Sequence, residues 1–172
     1  SANPMCIVLL APVFTMMWPW LEKRDLNPSI PRKFAIALIG MAAGFALLVF
    51  ALKNFLGPDD RIGWYWLAGL YLIHTMAELC LSPIGLSMVT KLAAPKNVGL
   101  SMGGWFLATA VANYLAGRIS AIASGGGGHG EAASSLAQYS QTFTMLIWAG
   151  LIVGGIYFLF APLINKLMHG VK

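Results

Sequence analysis

Long apolar runs alternate with short polar segments along the whole chain. The runs cover residues 4–21, 34–52, 64–90, 98–117 and 142–164. A helix needs about 20 mostly apolar residues to cross the hydrocarbon layer of a membrane, and each run is close to that length. The pattern therefore predicts an all-α integral membrane protein with five transmembrane helices.

The polar segments between the runs contain residues that end helices. Pro28 and Pro31 lie between the first and second runs, where each proline prevents a helix from continuing. Residues 118–141 are polar and rich in glycine, which predicts a flexible loop outside the membrane. His129 in this loop is typical of a solvated side chain rather than of a ligand, so we predict no metal site.

Small residues recur four positions apart in two of the runs, at Gly40 and Gly44 and at Gly99 and Gly103. This spacing lets the backbones of two helices approach closely. Both glycine pairs therefore offer faces on which another helix can pack closely, where the opposing helix is present within these residues.

Composition and charge support the membrane class. The 172 residues are 58% hydrophobic and only 10% charged, whereas soluble domains contain about 25% charged residues. Of the eleven Lys and Arg residues, eight lie in the first and third polar segments and at the C-terminus. The positive-inside rule places these in the cytoplasm and residues 118–141 on the opposite side. The basic residues form no single patch, so they do not indicate nucleic-acid binding. Cys6 and Cys80 lie within apolar runs, which favours buried thiols over a disulfide.

Glu78 is the one acidic residue inside an apolar run, because Glu22, Asp25, Asp59, Asp60 and Glu131 lie outside them. A carboxylate in hydrocarbon is costly, and such groups usually face a water-filled cavity or a partner. Glu78 is therefore the leading candidate for a proton or cation site, while a neutral carboxyl that only hydrogen-bonds to a neighbouring helix is the alternative. Pro83 and Gly85 follow it, which predicts a bend or local unwinding.

Other polar and aromatic residues have two possible roles each. His74 and Ser82 lie one helical turn from Glu78, on the same face. A His–Glu proton relay is conceivable, but the spacing more often reflects packing and a local hydrogen bond. Trp105, in the middle of a run, is either core packing or the wall of a cavity, and Asn3 opens the first run as a candidate helix cap. No paired-carboxylate, metalloprotease, nucleophile-elbow or P-loop pattern is present, so an enzyme is not predicted.

Three stretches carry a family resemblance: SANPMCIVLLAPVFTMMW, PRKFAIALIGMAAGFALLV and HTMAELCLSPIGLSMVTKLAAPKNVGLSMGGWFLATAVANYLAG. They resemble the proton-dependent oligopeptide transporters (POT) of the major facilitator superfamily. The resemblance covers nearly all of residues 1–172 and is most specific over residues 78–117, whereas the glycine-rich loop is not part of it. It implies a major facilitator helical bundle in which this chain supplies helices eight to twelve of twelve. Helices one to seven, the N-terminal half, are then expected to be missing from these residues.

The resemblance also implies residue roles. Glu78 corresponds to the glutamate that engages the peptide amino terminus and takes part in proton coupling. Asn3 and Ser82 correspond to positions at the peptide site, Trp105 corresponds to the wall of a side-chain pocket, and Thr109 is a weaker candidate. The implied function is proton-coupled symport that imports di- and tripeptides by alternating access.

The implied setting follows from the same resemblance. The proton gradient drives transport without a cofactor, and the partners are the peptide, protons, the lipid bilayer and the N-terminal half. The implied location is a bacterial inner membrane, as a monomer with a cytoplasmic C-terminus. Two alternatives stay open: a related transporter of another small anion or conjugate, such as nitrate, and a membrane peptide sensor that does not transport.

Overall fold

The computed structural model describes residues 2–57, 61–123 and 132–168. Within them the secondary structure is entirely helical. The chain forms five α-helices, namely α1 (Ala2–Glu22), α2 (Ile30–Asn54), α3 (Trp64–Leu92), α4 (Val98–Ala123) and α5 (Ala132–Leu167). A short 3₁₀ turn, Pro95–Asn97, leads into α4. The all-α prediction is confirmed.

Four of the described helices, α1, α2, α3 and α5, are long and apolar enough to cross a membrane. Helix α4 has 26 residues, so at about 1.5 Å per residue its length also suffices. Its glycines, Asn113 and Tyr114 lower its mean hydropathy, so α4 is not as clearly apolar as the other four helices. The fifth membrane span therefore stays a prediction.

Two helix boundaries differ from the sequence expectation. Helix α4 continues to Ala123 and α5 begins at Ala132, so the loop predicted over residues 118–141 is helical at both ends. Alanine, leucine, arginine and glutamine in these flanks favour helix. The central residues 124–131, with His129, lie outside the described part of the chain.

The unwinding predicted after Glu78 does not occur. Helix α3 is continuous from Trp64 to Leu92 with Pro83 inside it. A proline removes one backbone donor, and membrane helices tolerate this where neighbouring groups satisfy the freed carbonyl. The structure therefore excludes local unwinding at this point, and the bend that the sequence offered as the other outcome stays a prediction.

Helix α2 is the centre of the bundle, with α3 on one side and α5 on the other. A Cβ atom added to Gly40 would lie 3.2 Å from the Cβ of Ala77 on α3, and the ring of His74 occupies the space beside Gly44. On α5, a Cβ at Gly150 would lie 3.0 Å from the Cβ of Ala42. Small residues therefore set the close approach of these helices, as predicted for the first glycine pair.

The second glycine pair behaves differently. A Cβ added to Gly99 or Gly103 would meet nothing within 4 Å. Helix α4 contacts α3 and α5 only lightly, and most of its described side chains are exposed. Within the described residues, no helix packs closely on this pair.

Consecutive helices run in opposite directions. The segments predicted to be cytoplasmic therefore lie at the same end of the bundle. A cavity of about 300 Å³ is lined by Glu22 near the end of α1, Lys33 near the start of α2 and Lys91 near the end of α3. A neighbouring cavity of about 250 Å³ joins the segment between α1 and α2 to Asn165, near the end of α5. The basic segments grouped by the positive-inside rule therefore share one end of the bundle.

The contact between α2 and α5 yields a stability prediction. We expect Gly150→Val to lower the melting temperature, because its side chain would press on Ala42 and on the backbone oxygen of Leu38, 3.2 Å from a Cβ at this position. Overpacking of this kind costs about 1–3 kcal/mol. Gly155→Val is the matched control, since a Cβ there meets nothing within 4 Å. Equal melting temperatures for the two purified variants would contradict this description of the interface.

Candidate functional site

Glu78 faces α1, where it meets Asn3. The Asn3 Nδ2 group donates a hydrogen bond to Glu78 Oε2 at 3.4 Å. Both side chains are half-buried. Two residues that are 75 positions apart in the sequence are therefore in contact, and both had been selected as site candidates.

Thr75 completes this contact from within α3. Its hydroxyl group donates to Asn3 Oδ1 at 2.7 Å, and the carbonyl oxygen of Tyr71 lies at the same distance of 2.7 Å. The Thr75 side chain is fully buried. We refer to Asn3, Thr75 and Glu78 as the amide–carboxylate cluster.

Thr75 is not among the site residues predicted from the sequence. Its signal was its position three residues before Glu78, which places the two side chains on one helix face. A threonine inside a helix commonly bonds to the carbonyl one turn earlier, and Thr75 makes that bond too. Only the approach of Asn3 from α1 distinguishes it, and no local pattern reveals that contact.

His74 faces α2 rather than the cluster. Its Nε2 atom lies 3.1 Å from the carbonyl oxygen of Met41, and its ring meets Phe45 edge-on at 4.8 Å between centroids. The ring also occupies the space beside Gly44. These contacts agree with the packing role that the sequence favoured over a His–Glu relay.

Trp105 lies where α4 meets α3. Its indole ring covers Gly85, and a Cβ added at that glycine would overlap the ring. Gly85 follows Glu78 by two helical turns, with Ser82 between them on the same face. The face of α3 that carries Thr75, Glu78, Ser82 and Gly85 forms a stripe, which we call the polar stripe. Asn3 contacts one end of it and Trp105 the other.

Ser82 and Thr109 have weaker structural support as site residues. Ser82 is half-buried within the polar stripe. Thr109 is exposed on α4, and its hydroxyl group donates to the carbonyl oxygen of Trp105 at 3.0 Å within its own helix. The structure therefore brings Asn3 and Glu78 together, seats Trp105 on the same helix face, and leaves Thr109 apart.

The buried cation Lys33 is directed away from Glu78. Because α2 begins at Ile30, Lys33 lies in the first turn of a helix, just before the apolar run over residues 34–52. Its side chain is only 8% exposed, and its Nζ atom lies 4.2 Å from the centroid of the Trp18 ring, a cation–π contact. Within the described part of the chain, Glu78 has no ion-pair partner.

The cluster has the chemistry of a cation or proton acceptor. Glu78 contributes carboxylate oxygens, and Asn3 holds one of them while leaving the rest of the group accessible on the half-buried side. A carboxylate of this kind accepts hydrogen bonds from an ammonium group or takes up a proton. The described residues contain no group of three His, Cys, Asp or Glu side chains placed to hold a metal ion.

Comparison with known proteins relates the chain to transporters of known sequence. The chain is 36% identical over 173 residues to the peptide transporter YePEPT of Yersinia enterocolitica, covering all of this chain and 32% of that protein. It is 30% identical over 171 residues to the dipeptide and tripeptide permease A of Edwardsiella piscicida, covering 99% of this chain and 34% of that protein. It is also 32% identical over 173 residues to the uncharacterized transporter YclF of Bacillus subtilis, at 99% and 32% coverage.

Solved structures agree with the sequence relatives. A mutant of the peptide transporter POT in complex with alafosfalin is 33% identical, with a TM-score of 0.79, over 97% of this chain and 31% of that one. A POT family transporter in complex with a thioalcohol-conjugated peptide is 27% identical, with a TM-score of 0.79, over 96% of this chain and 31% of that one. The chain thus spans about a third of the length of its relatives.

The predicted bundle of the major facilitator type is confirmed by these structures, and the family is shown independently by sequence. The model described as "POT family" matches residues 1–136, which is most of the chain. By this match and by its similarity to these relatives, the chain belongs to the POT family of transporters.

Proposed function

We propose that the protein is a proton-coupled symporter that imports di- and tripeptides by alternating access. The observation that carries this proposal is the contact between Asn3 and Glu78. It joins, across two helices, two of the residues that the family resemblance assigns to the binding of the peptide. The names of the relatives, which include a peptide transporter and a dipeptide and tripeptide permease, support the same substrate class.

The substrate class follows from charge. A short peptide is a zwitterion whose ammonium and carboxylate ends lie within a few residues of each other. Glu78 is suited to the ammonium end, because a carboxylate accepts charge-assisted hydrogen bonds from it. The carboxylate end needs cations, and Lys33 is held on Trp18 instead. We propose that those cations belong to the remainder of the transporter, since the relatives are about three times as long as this chain.

Proton coupling arises at the same oxygen atoms. A protonated Glu78 has no negative charge with which to hold an ammonium group, so binding of the peptide amine and release of the proton from this carboxyl group are linked. For symport, the released proton must pass to a second acceptor that carries it inward with the peptide, and we assign that acceptor to the remainder of the transporter. The proton gradient then supplies the driving force, and no cofactor is required by this scheme.

Alternating access requires that this helix set move against the rest of the transporter around the site. Trp105 and Ser82 extend the site along the polar stripe, and we propose that Trp105 walls a pocket for a peptide side chain. Thr109 stays a weaker candidate on the next turn of α4. We place the protein in a bacterial inner membrane as a monomer with its C-terminus in the cytoplasm. The gathering of basic segments at one end of the bundle supports that orientation.

The alternatives are distinguished by one assay. A transporter of a plain small anion would have to place its substrate beside Glu78, and like charges repel. A peptide sensor would bind without accumulation. Concentrative uptake of labelled dipeptide into vesicles with an imposed proton gradient separates a peptide symporter from both.

We predict that Glu78→Gln abolishes gradient-driven uptake while the protein still inserts and folds. The amide is nearly isosteric with the carboxyl group, but it cannot take up the proton or carry the charge. Reconstituted complete protein would be assayed for concentrative uptake and for peptide counterflow. The control is Glu22→Gln, which removes an exposed carboxylate at the end of α1. Accumulation by Glu78→Gln at the wild-type level would contradict the proposal.

We also predict that Trp105→Ala changes affinity unevenly among dipeptides that differ in side-chain size. If the indole walls a pocket, peptides with large apolar side chains should lose about tenfold in affinity, a burial effect of roughly 1.4 kcal/mol. Peptides with small side chains should change little. Competition over a dipeptide panel measures this, with Trp148→Ala, an exposed tryptophan on α5, as the control. A lower melting temperature with unchanged selectivity would show that Trp105 only packs α4 on α3.

A further inference from the structure

The hydroxyl group of Thr75 has more acceptors than it can serve at once. Asn3 Oδ1 and the carbonyl oxygen of Tyr71 both lie 2.7 Å from Thr75 Oγ1. A hydroxyl group carries one proton and two lone pairs, so it donates one full hydrogen bond and can accept others. Two alternative hydrogen-bond patterns therefore fit the same three side chains.

The first pattern has the orientation of the Asn3 amide that the structure shows, and it suits an ionised Glu78. Thr75 donates to Asn3 Oδ1, and Asn3 Nδ2 donates to Glu78 Oε2. In this series of hydrogen bonds each acceptor receives one hydrogen bond, and the last acceptor is the carboxylate of Glu78. A carboxylate can only accept hydrogen bonds, so the amide must present its NH₂ group to it.

A protonated Glu78 reverses this requirement, because its new O–H group needs an acceptor. We infer that Thr75 is a positioning residue that lets the Asn3 side-chain amide invert when Glu78 takes up a proton. In the inverted pattern Glu78 donates to Asn3 Oδ1, Asn3 Nδ2 donates to Thr75 Oγ1, and Thr75 donates to the carbonyl oxygen of Tyr71. The proton gained by Glu78 is the only one added, and the other changes are rotations of the amide and the hydroxyl group.

The geometry favours this inversion at Asn3. A half-turn about the last side-chain bond exchanges the positions of Oδ1 and Nδ2, so the separation of 2.7 Å to Thr75 is retained within a few tenths of an ångström. The separation of 3.4 Å to Glu78 must shorten when the carboxyl group becomes the donor. Glu78 is half-buried and has room to adjust, whereas Thr75 is fully buried and forms the fixed side of the cluster.

No other titratable group in the described residues is bonded to Glu78. His74 on α3 is engaged with α2, and Lys33 on α2 with Trp18 on α1. The remaining titratable groups of α3 and of the helices packed on it form no hydrogen bond or ion pair with Glu78 in the described part of the chain; they are Cys6 and Glu22 on α1, Arg32 and Lys53 on α2, Tyr65, Tyr71 and Cys80 on α3, and Tyr114 and Arg118 on α4. Lys91, near the end of α3, lies about 20 Å along the helix from Glu78. The Asn3 amide is therefore the described group that responds to the charge of Glu78.

The transport consequence rests on the proposed function. The ionised pattern fixes Glu78 with one oxygen held by Asn3, ready for a peptide amine. The inverted pattern holds the neutral carboxyl group as a donor to Asn3, which withdraws it from that amine. Thr75 thereby stabilises both states, and its loss should hinder the exchange between them more than it hinders binding itself.

The inference can be tested without transport. The complete protein, labelled with ¹⁵N-asparagine and held in lipid nanodiscs, would be studied by NMR at neutral and at acidic pH. The Asn3 side-chain amide signal is assigned by its disappearance in Asn3→Leu. We expect this signal to shift on acidification in the wild type and in Thr75→Ser, which keeps the hydroxyl group. In Thr75→Val and Thr75→Ala the inverted NH₂ would face carbon, so we expect the shift to be lost. Glu78→Gln, which cannot titrate, should also abolish it.

Each outcome is decisive. An Asn3 signal that does not move in the wild type overturns the inversion, and this result needs no variant to fold. A signal that moves equally in Thr75→Val and in the wild type overturns the role of Thr75. If the wild type shows the shift but accumulates no peptide, the proposed function fails while the amide inversion stands.

Transport provides the second measurement. We expect Thr75→Val to lower concentrative uptake by about tenfold, the size expected for one buried hydrogen bond left unmade. Counterflow at equal pH should fall much less, and Thr75→Ser should restore uptake. The inference would be contradicted if Thr75→Val lost concentrative uptake and counterflow equally and Thr75→Ser also had a lower melting temperature. That result would indicate a purely structural role for Thr75.

Discussion

The carboxyl group of Glu78 inside an apolar helix is the constraint on which the site depends. Ionised or neutral, it must find hydrogen-bond partners, because an unsatisfied polar group in a dry interior costs several kcal/mol. Helix α1 supplies that partner through Asn3. What holds α1 there is apolar: Phe14 of α1 packs in one core cluster with Ala37 of α2 and with Ala77 and Cys80 of α3. The apolar packing of α1 against α2 and α3 therefore positions Asn3 for its hydrogen bond with Glu78.

Helix geometry explains why neighbours on α3 face different partners. Successive residues of a helix are rotated by about 100°, so positions three and four apart are offset to opposite sides of a given residue. His74 and Ala77 both face α2, where Gly44 and Gly40 leave room for them. Thr75 is offset from Glu78 the other way, towards α1. Residues one helical turn from Glu78 can therefore face either α1 or α2. Which of the two helices a residue contacts depends on how those helices pack against α3.

Much of the architecture could be predicted from the sequence, because the bilayer imposes a strong pattern. The apolar runs predicted where each long helix lies. Glu78 was predicted as a site residue because it is the one acidic residue inside an apolar run. Boundaries were less predictable, since α4 and α5 extend into residues where helix propensity is favourable and hydropathy is low. The two glycine pairs have identical spacing, yet one meets α3 and the other meets nothing within 4 Å. The local sequence shows that a helix face can pack closely. Whether another helix lies against that face depends on the tertiary structure.

The same limit applies to the site. Glu78 and Asn3 were predictable individually, the first by its cost in hydrocarbon and both by family resemblance. Their hydrogen bond, the seat of Trp105 on Gly85 and the part played by Thr75 all depend on contacts between helices. Thr75 illustrates the physical reason. Its bond to Tyr71 is the ordinary one for a helical threonine, so its sequence context carries no distinctive signal. The second acceptor at an equal distance arises only when α1 docks. A hydroxyl group with one proton and two acceptors at equal distance is poised between two hydrogen-bond patterns. The proposed alternation of Glu78 between a proton and a peptide amine would require such a balance in its surroundings.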